Sequence, residues 1–340
     1  MCKILIVVVG LLFSTNAGAQ EKFQALFYNV ENLFDCRHDT LKDDSEFLPN
    51  SIRAWHQGRY KQKINHIAQV IAAVGGWNPP AIVGFCEVEN EQVLNDLTRY
   101  SPLKEFQYRY VMTDSPDERG IDVAFLWQRD RFKLLGHRSI RIHFQDKSRR
   151  PTRDILHVTG LLSTRDSLDV FVCHLPSRMG GEKESESARC VVASALKQAV
   201  DSLFRIRENP SILIMGDFND YPENASIAKV LGAVSPGDSV ASGCLYNLMA
   251  DKAGKQGSYK YQGQWGVLDQ LIVSGTLLRP QSALHTSNED ARIFAPSFLL
   301  EEDEKYGGQK PFRTYYGMKY TGGYSDHLPV IVDFWEHVEN

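Results

Sequence analysis

Acids, amides and imidazoles recur in this chain at the ends of apolar runs. Phe23 to Tyr28 runs into Asn29-Val30-Glu31, Ala81 to Cys86 into Glu87, and Val170 to Cys173 into His174-Leu-Pro-Ser-Arg178. Ile212 to Met215 stops at Gly216 and delivers Asp217 and Asn219; Leu268 is followed by Asp269, and Tyr324 by Ser325-Asp326-His327-Leu328-Pro329. Any one of these is explained by a strand-end turn or a satisfied polar residue. Six apolar runs that each abut such a group are harder to explain that way. Acids, amides and histidines brought to one sheet rim suit the metal-assisted hydrolysis of a phosphate ester.

The residue types follow from the reaction. A scissile phosphate is negatively charged, so its hydrolysis needs a hard cation on its oxygens, a group that orients or deprotonates water, and an acid near the leaving oxygen. Asn29 and Glu87 offer oxygen ligands, and so few protein ligands leave room for water and substrate, which is the behaviour of Mg²⁺ rather than of structural Zn²⁺. His174, His327, Asp217 and Asn219 suit proton transfer and phosphate contact. Asp269 is the candidate partner that fixes the tautomer of His327. Arg178, beside Gly180-Gly181, is placed to clamp a phosphate.

The elements that must position these groups are short apolar strands alternating with helices. Strand-length runs recur at Phe23 to Tyr28, Ala81 to Cys86, Val123 to Trp127, Val170 to Cys173, Ile212 to Met215, Leu268 to Val273 and Pro329 to Val332. Helical stripes lie at Tyr60 to Val74 (Ile64, Ile67, Ala68, Ile71) and at Ala188 to Phe204 (Val191, Val192, Ala195, Leu196, Ala199, Leu203). Strands at Asp122 to Trp127, Phe132 to Ile142, Ile155 to Leu162 and Ser167 to His174 follow without a helix-length spacer, which predicts antiparallel pairing and a mixed sheet.

In this order, Asn29-Val-Glu31, Glu87, His174, Gly216-Asp217-Phe-Asn219, Leu268-Asp269 and Ser325-Asp326-His327-Leu-Pro329 resemble the motifs of the endonuclease/exonuclease/phosphatase superfamily, over Phe23 to Phe334. The resemblance implies an α/β fold, a four-layer αββα sandwich of two mixed β-sheets like that of deoxyribonuclease I, with the site at one rim. His174 makes the chain more similar to pancreatic-type deoxyribonucleases and bacterial neutral sphingomyelinases than to abasic-site endonucleases. Carried over residue by residue, the resemblance gives Asn29 and Glu87 to Mg²⁺, with Mn²⁺ as a substitute. It sets Glu31 in or next to that shell and Asp326 beside the metal. Asp217 would orient the attacking water and Asn219 the phosphate. His327, held by Asp269, would be general base or phosphate stabiliser, and His174 general acid or phosphate contact. Trp265 resembles a substrate-pocket aromatic and equally suits a core position between strands.

Met1 to Gln20 carries Lys3, an apolar core from Ile4 to Phe13 and Ala17-Gly18-Ala19, the pattern of a secretory signal peptide cleaved after Ala19. The mature chain, residues 20–340, reads as one exported domain and as a monomer, periplasmic or extracellular, without a membrane anchor. The formal charge of −4 becomes one unit more negative when Lys3 leaves. That balance argues against non-specific binding to nucleic acid as a main role. Cys36, Cys86, Cys173, Cys190 and Cys244 are odd in number and form no disulfide framework. Cys36 to Arg59 and Ser282 to Tyr316 read as loops that shape substrate access. Lys147 to Arg153 is a basic run, either a solvated turn or a nucleic-acid contact. No apolar-aromatic hairpin suited to membrane insertion stands out. Three readings follow: a Mg²⁺-dependent phosphodiesterase acting as an endonuclease or exonuclease on DNA or RNA, the same chemistry on a phospholipid head group or small phosphate ester, and a catalytically silent binding protein of the same fold.

Overall fold

The computed structural model describes residues 20–337, so the signal peptide read in residues 1–19 lies outside the described residues. The chain starts with β1 (Gln20–Leu33), whose residues Phe23 and Ala25 to Tyr28 are all buried, as in a strand covered on both faces. Gln24, polar within that run, donates to Asp333 Oδ1 at 2.6 Å. Helix α1 (Gln57–Gly75) is capped by the His56 ring, which accepts from Gly58 N, and it stops at Gly76, whose φ is 60°. Strand β2 (Ile82–Val88) returns parallel to β1. Asn90 then caps α2 (Glu91–Arg99) by accepting from Gln92 N and Val93 N. β3 (Arg109–Met112) and β4 (Asp122–Trp127) follow.

The second sheet begins with β5 (Lys133–Ile140), β6 (Ile155–Leu161) and β7 (Ser167–His174). Helix α3 (Glu182–Ile206) crosses over to β8 (Ser211–Asp217), parallel to β7. A π-helical turn at Ala225–Leu231, β9 (Ala233–Val234), β10 (Leu245–Asn247), the hairpin of β11 (Tyr259–Tyr261) and β12 (Gln264–Gly266), and β13 (Asp269–Ser274) follow. The chain closes with β14 (Leu284–His285), β15 (Ala291–Ile293), the hairpins β16 (Leu300–Glu302) with β17 (Gln309–Pro311) and β18 (Tyr315–Tyr316) with β19 (Lys319–Tyr320), and β20 (Val330–His337).

The strands form two seven-stranded mixed sheets, one ordered β14-β20-β1-β2-β4-β3 with β15 also on β20, the other β5-β6-β7-β8-β13-β10-β9. Three apolar clusters define the layers. Phe27, Phe125, Val172, Leu213, Met215 and Val332 pack between the sheets. Ile64, Ile67 and Ile71 of α1 cover the outer face of the first sheet at Leu26 and Tyr28. Val192, Leu196 and Leu203 of α3 cover the second at Phe171, Ile212 and Ile214. The result is the expected αββα sandwich. At Gly84 the sheets approach so closely that an added Cβ would lie 2.8 Å from Met215 Sδ.

Some local expectations differ from the structure. β5, β6 and β7 pair antiparallel as expected, but β4 lies in the other sheet, antiparallel to β2 and β3. Residues 282–316 carry short strands β14 to β18, and the other segment expected as loop, Cys36 to Arg59, ends in α1, which begins at Gln57. The hairpin of β18 and β19 exposes Tyr316 and Met318, with Tyr315 buried beneath. Among the described residues, no helix is long and apolar enough to cross a membrane.

Candidate active site

The C-terminal ends of parallel neighbours point to one rim. β1 with β2, and β7 with β8, bring Asn29, Glu87, His174 and Asp217 there. Asp269 is the first residue of β13, and His327 precedes β20. Both therefore reach the rim from the N-terminal ends of antiparallel strands, where the sequence suggested C-terminal ends. The register sets Asp269 opposite Asp217.

Irregular backbone aims the side chains. The pairing of β1 with β2 breaks between Asn29 and Leu33, and that of β2 with β4 between Cys86 and Val88. At these breaks Glu31, Asn32 and Glu87 take φ of 47°, 56° and 64°. Bulges re-aim side chains, and left-handed backbone at non-glycine residues stores strain. Glu87 Oε2 accepts from Asn32 N at 2.9 Å, and Asn29 Nδ2 donates to Asp217 Oδ2 at 3.1 Å and Glu87 Oε1 at 3.5 Å. Ser325 Oγ donates to Asn29 O at 2.7 Å and accepts from His327 N at 3.2 Å, which ties the Ser-Asp-His segment to β1.

Gly216 is required by close packing, since a Cβ there would lie 2.4 Å from Cys173 O. Beyond it, Asp217 Oδ1 accepts from Asn219 N at 2.8 Å, a turn that holds Asn219 at φ 49°. Asn219 Nδ2 donates to Leu175 O at 3.1 Å and retains a second proton. His327 Nδ1 is 2.8 Å from Asp269 Oδ2, and its Nε2 is 3.7 Å from Asp217 Oδ2. The His174 ring reaches the same carboxylate, with Nε2 3.7 Å from Asp217 Oδ2 and 3.9 Å from Glu87 Oε1. Asp217 is thus the hub, buried and bracketed by two imidazoles, an amide and Glu87.

Burial sets opposite charge preferences on these groups. It pushes Asp217 up to about 7, against the pull of His327, with Asp269 and Glu87 adding to the rise. For His327 burial disfavours charge, but Asp269 and Asp217 outweigh it and hold the imidazole well above its usual value. His174 is held well below its usual value by burial, with Arg153, Arg119 and His327 acting in the same direction. The two imidazoles thus prefer opposite charge states, His327 the imidazolium and His174 the neutral ring.

Other candidates take different partners. Glu31 and Asp326 turn to Arg313: Glu31 Oε1 accepts from Arg313 Nε at 3.2 Å, Glu31 Oε2 from Thr314 N at 2.7 Å, and Asp326 Oδ2 from Arg313 Nη2 at 3.0 Å. Arg178 donates to Asn219 O, Glu182, Asp220 and Asn224 and stacks over Tyr221. Its guanidinium is engaged by the protein, so it braces the Asn219 turn where a phosphate clamp was expected. Trp265 is half-buried on β12, with Lys260 Nζ 6.0 Å from its ring centre. Sequence reasoning missed Arg313, Lys63 and Tyr259, whose ring lies 4.8 Å from that of His327. None has a local pattern that marks it.

Glu87 and Asp217 present carboxylate oxygens that fit a hard divalent cation; the Asn29 atom turned to them is Nδ2, a donor, while its Oδ1 accepts from Glu31 N at 3.0 Å, so Asn29 would join a metal's ligands only with its amide turned over. Cys86 lies within metal-ligand reach of His174 and Asp217, but burial holds its thiol well above the usual value, so it stays protonated and is a poor ligand.

Comparison with known proteins places this geometry. The model of the Endonuclease/Exonuclease/phosphatase family matches residues 24–336. A search of curated proteins gives no match. An endonuclease/exonuclease/phosphatase family protein from Bacteroides thetaiotaomicron superposes with a TM-score of 0.58 at 16% identity, over 95% of this chain and 100% of that one. D. rerio TDP2 complexed with a single-strand DNA product gives 0.55 at 15%, over 92% and 98%. A mannosyl-6-phosphatase from Bacteroides thetaiotaomicron gives 0.53 at 17%, over 92% and 99%.

Proposed function

The chain belongs to the endonuclease/exonuclease/phosphatase family, whose members hydrolyse phosphate esters, and on that premise we propose that it is an exported, Mg²⁺-dependent phosphodiesterase acting on nucleic acid. The observation that carries the chemistry is Asp217 bracketed by Asn29, Glu87, His174 and the His327–Asp269 pair. A divalent ion held by Glu87 and the Asn29 amide would polarise the phosphoryl oxygens. Asp217, raised toward neutrality, orients the attacking water and accepts its proton. The His327 imidazolium, fixed by Asp269, binds a phosphoryl oxygen as charge builds on it. Neutral His174 and the free amide proton of Asn219 donate to the remaining oxygens.

Arginines on both sides of the site support an extended polyanion as substrate. Arg119 and Arg153 stand near enough to His174 to depress its proton affinity, although Arg153 is buried and paired with Asp117 at 3.2 Å; Arg119 is about half exposed. Arg313 and Arg53 line a cleft on the other side, next to Asn32 and Tyr315. That cleft, about 140 Å³, also favours a second reading, a small phosphate ester whose non-reacting part sits in it. A panel of single-stranded and duplex DNA, RNA, sphingomyelin vesicles, sugar phosphates and a chromogenic phosphodiester, each with Mg²⁺ and with EDTA, separates the readings. Metal-dependent cleavage of nucleic acid supports the first; intact nucleic acid with turnover of a small ester or lipid replaces it. No turnover of any ester would leave a binding protein of this fold.

A further inference from the structure

The rim holds two carboxylate clusters, and they differ in what neutralises them. Glu87, Asp217 and Asp269 meet one another through Asn29 and the imidazoles, and the cation in contact with them is the His327 ring. Glu31 and Asp326 are bridged instead by a permanent cation: the Arg313 guanidinium contacts Glu31 Oε1 at 3.2 Å and Asp326 Oδ2 at 3.0 Å. Behind them Lys63, buried, donates to Thr314 Oγ1 and Tyr324 O; burial lowers its amine to about 8, with Glu31 and Asp326 pulling the other way. Two acids thus face two bases.

Arg313 is held in this place by its backbone. Thr314 N is bound to Glu31 Oε2, Arg313 O accepts from Gly323 N at 3.1 Å, and a Cβ at Gly323 would lie 2.4 Å from Arg313 O. A guanidinium cannot lose its proton to make way for a metal, and its planar fork suits carboxylate oxygens. A divalent ion entering between Glu31 and Asp326 would have to displace it.

We propose that Arg313 is a built-in cation that fills the gap between Glu31 and Asp326, so that the site takes one divalent ion, at Asn29 and Glu87, and not two. This rests on the reading of the rim as a metal-dependent esterase site. Its role is that of the second positive centre that many phosphate-ester hydrolases obtain from a second metal. The Arg313 side chain, about one-third exposed (32%), lines the cleft with Glu31, Asn32 and Tyr315, where it would meet the substrate's charge.

The test counts ions and does not need turnover. EDTA-stripped protein is titrated with Mn²⁺, with free ion read by electron paramagnetic resonance and heat by calorimetry. The expected result is one Mn²⁺ per chain in the parent protein and in Arg313→Lys, and two in Arg313→Met, the second at least tenfold weaker. Two comparable ions in the parent overturn the proposal, as does a single ion in Arg313→Met whose circular dichroism and melting match the parent. If Arg313→Met does not fold, Glu31→Gln decides: Mn²⁺ affinity within about threefold of the parent supports the proposal, and a loss of tenfold or more overturns it. Glu87→Gln should abolish binding of the first ion. The absence of any ester turnover would remove the hydrolase reading and leave these counts standing.

Discussion

Asp269→Asn removes one charge and almost no volume from a buried ion pair of the site. Asp269 is 1% exposed and His327 6%, and the bond between them is 2.8 Å. A unit-charge pair at about 4 Å is worth ~4 kcal/mol at the effective dielectric that reproduces protein measurements. Asp217, 3.7 Å from the other ring nitrogen, remains and keeps part of the imidazolium's stabilisation. If the whole ion pair is used in the transition state, ~4 kcal/mol corresponds to about 10³ in kcat; half of it gives roughly 10¹·⁵. The expected result on a chromogenic phosphodiester with Mg²⁺ is a fall in kcat of about 30- to 1,000-fold with KM little changed. In EDTA, the nitrogen-15 NMR titration midpoint of His327 should fall. A lowered midpoint with kcat within about threefold of the parent would refute the use of the charged ring in catalysis. An unchanged midpoint would show that Asp269 is not what holds the charge.

Arg178→Lys should lower kcat on short and polymeric substrates alike and reduce stability by ~1–2 kcal/mol in urea titration, because it loosens the Asn219 turn; a rise in KM alone would instead mark a phosphate clamp. Burial holds Asp122 up to about 6 against its bonds from Thr113 and Ser115 and an ordinary value of 3.8, so between roughly pH 4 and 6 the folded state binds more protons than the unfolded chain. Stability should therefore fall as pH rises through that window, by on the order of 2–3 kcal/mol, and Asp122→Asn should flatten that part of the profile of urea midpoints. Asn32→Gly should keep both stability and Mn²⁺ affinity, since the 56° φ suits glycine and Glu87 is bound through the backbone N–H; Asn32→Val should lose ~1–2 kcal/mol in thermal melts and weaken Mn²⁺ binding.

The residues that meet at Asp217 were legible because each sits where an apolar run stops, and a strand end can place a polar group only at a sheet rim. Glu87, His174 and Asp217 follow from that rule together with their chemistry. Asp269 and His327 come from strand starts and still reach the same rim, because antiparallel neighbours present their opposite ends there. Where the rule fails, the partner is distant or the side chain's environment is not local. Arg313 lies 282 residues from Glu31, in a segment without periodicity, and nothing near it in sequence indicates that two acids converge on it. Arg178 sits beside two glycines and looks free, yet its acceptors come from the turn after β8 and from α3. β4 and β5 are separated by only a short connection that reads like a hairpin, but β4 completes the first sheet by pairing with β2. Pairing in this case is decided by which apolar faces the two sheets bury between them.

The strained residues say more about how the site is built. Glu31, Asn32, Glu87 and Asn219 all have φ between 47° and 64°, and all lie just where β1, β2 and β8 end. Regular strands would send alternate side chains to opposite faces of the sheet. The irregularities after Asn29 and around Glu87 instead turn backbone N–H groups and carboxylates toward one another, so that Asn32 N binds Glu87 and Asn219 N binds Asp217. Such strain persists only where the surroundings over-determine it. Here the inter-sheet core around Phe27, Leu213 and Met215 holds the strands, Gly216 admits β8 against Cys173, and Ser325 locks the His327 segment to Asn29. The geometry of the carboxylates is thus imposed by the two sheets.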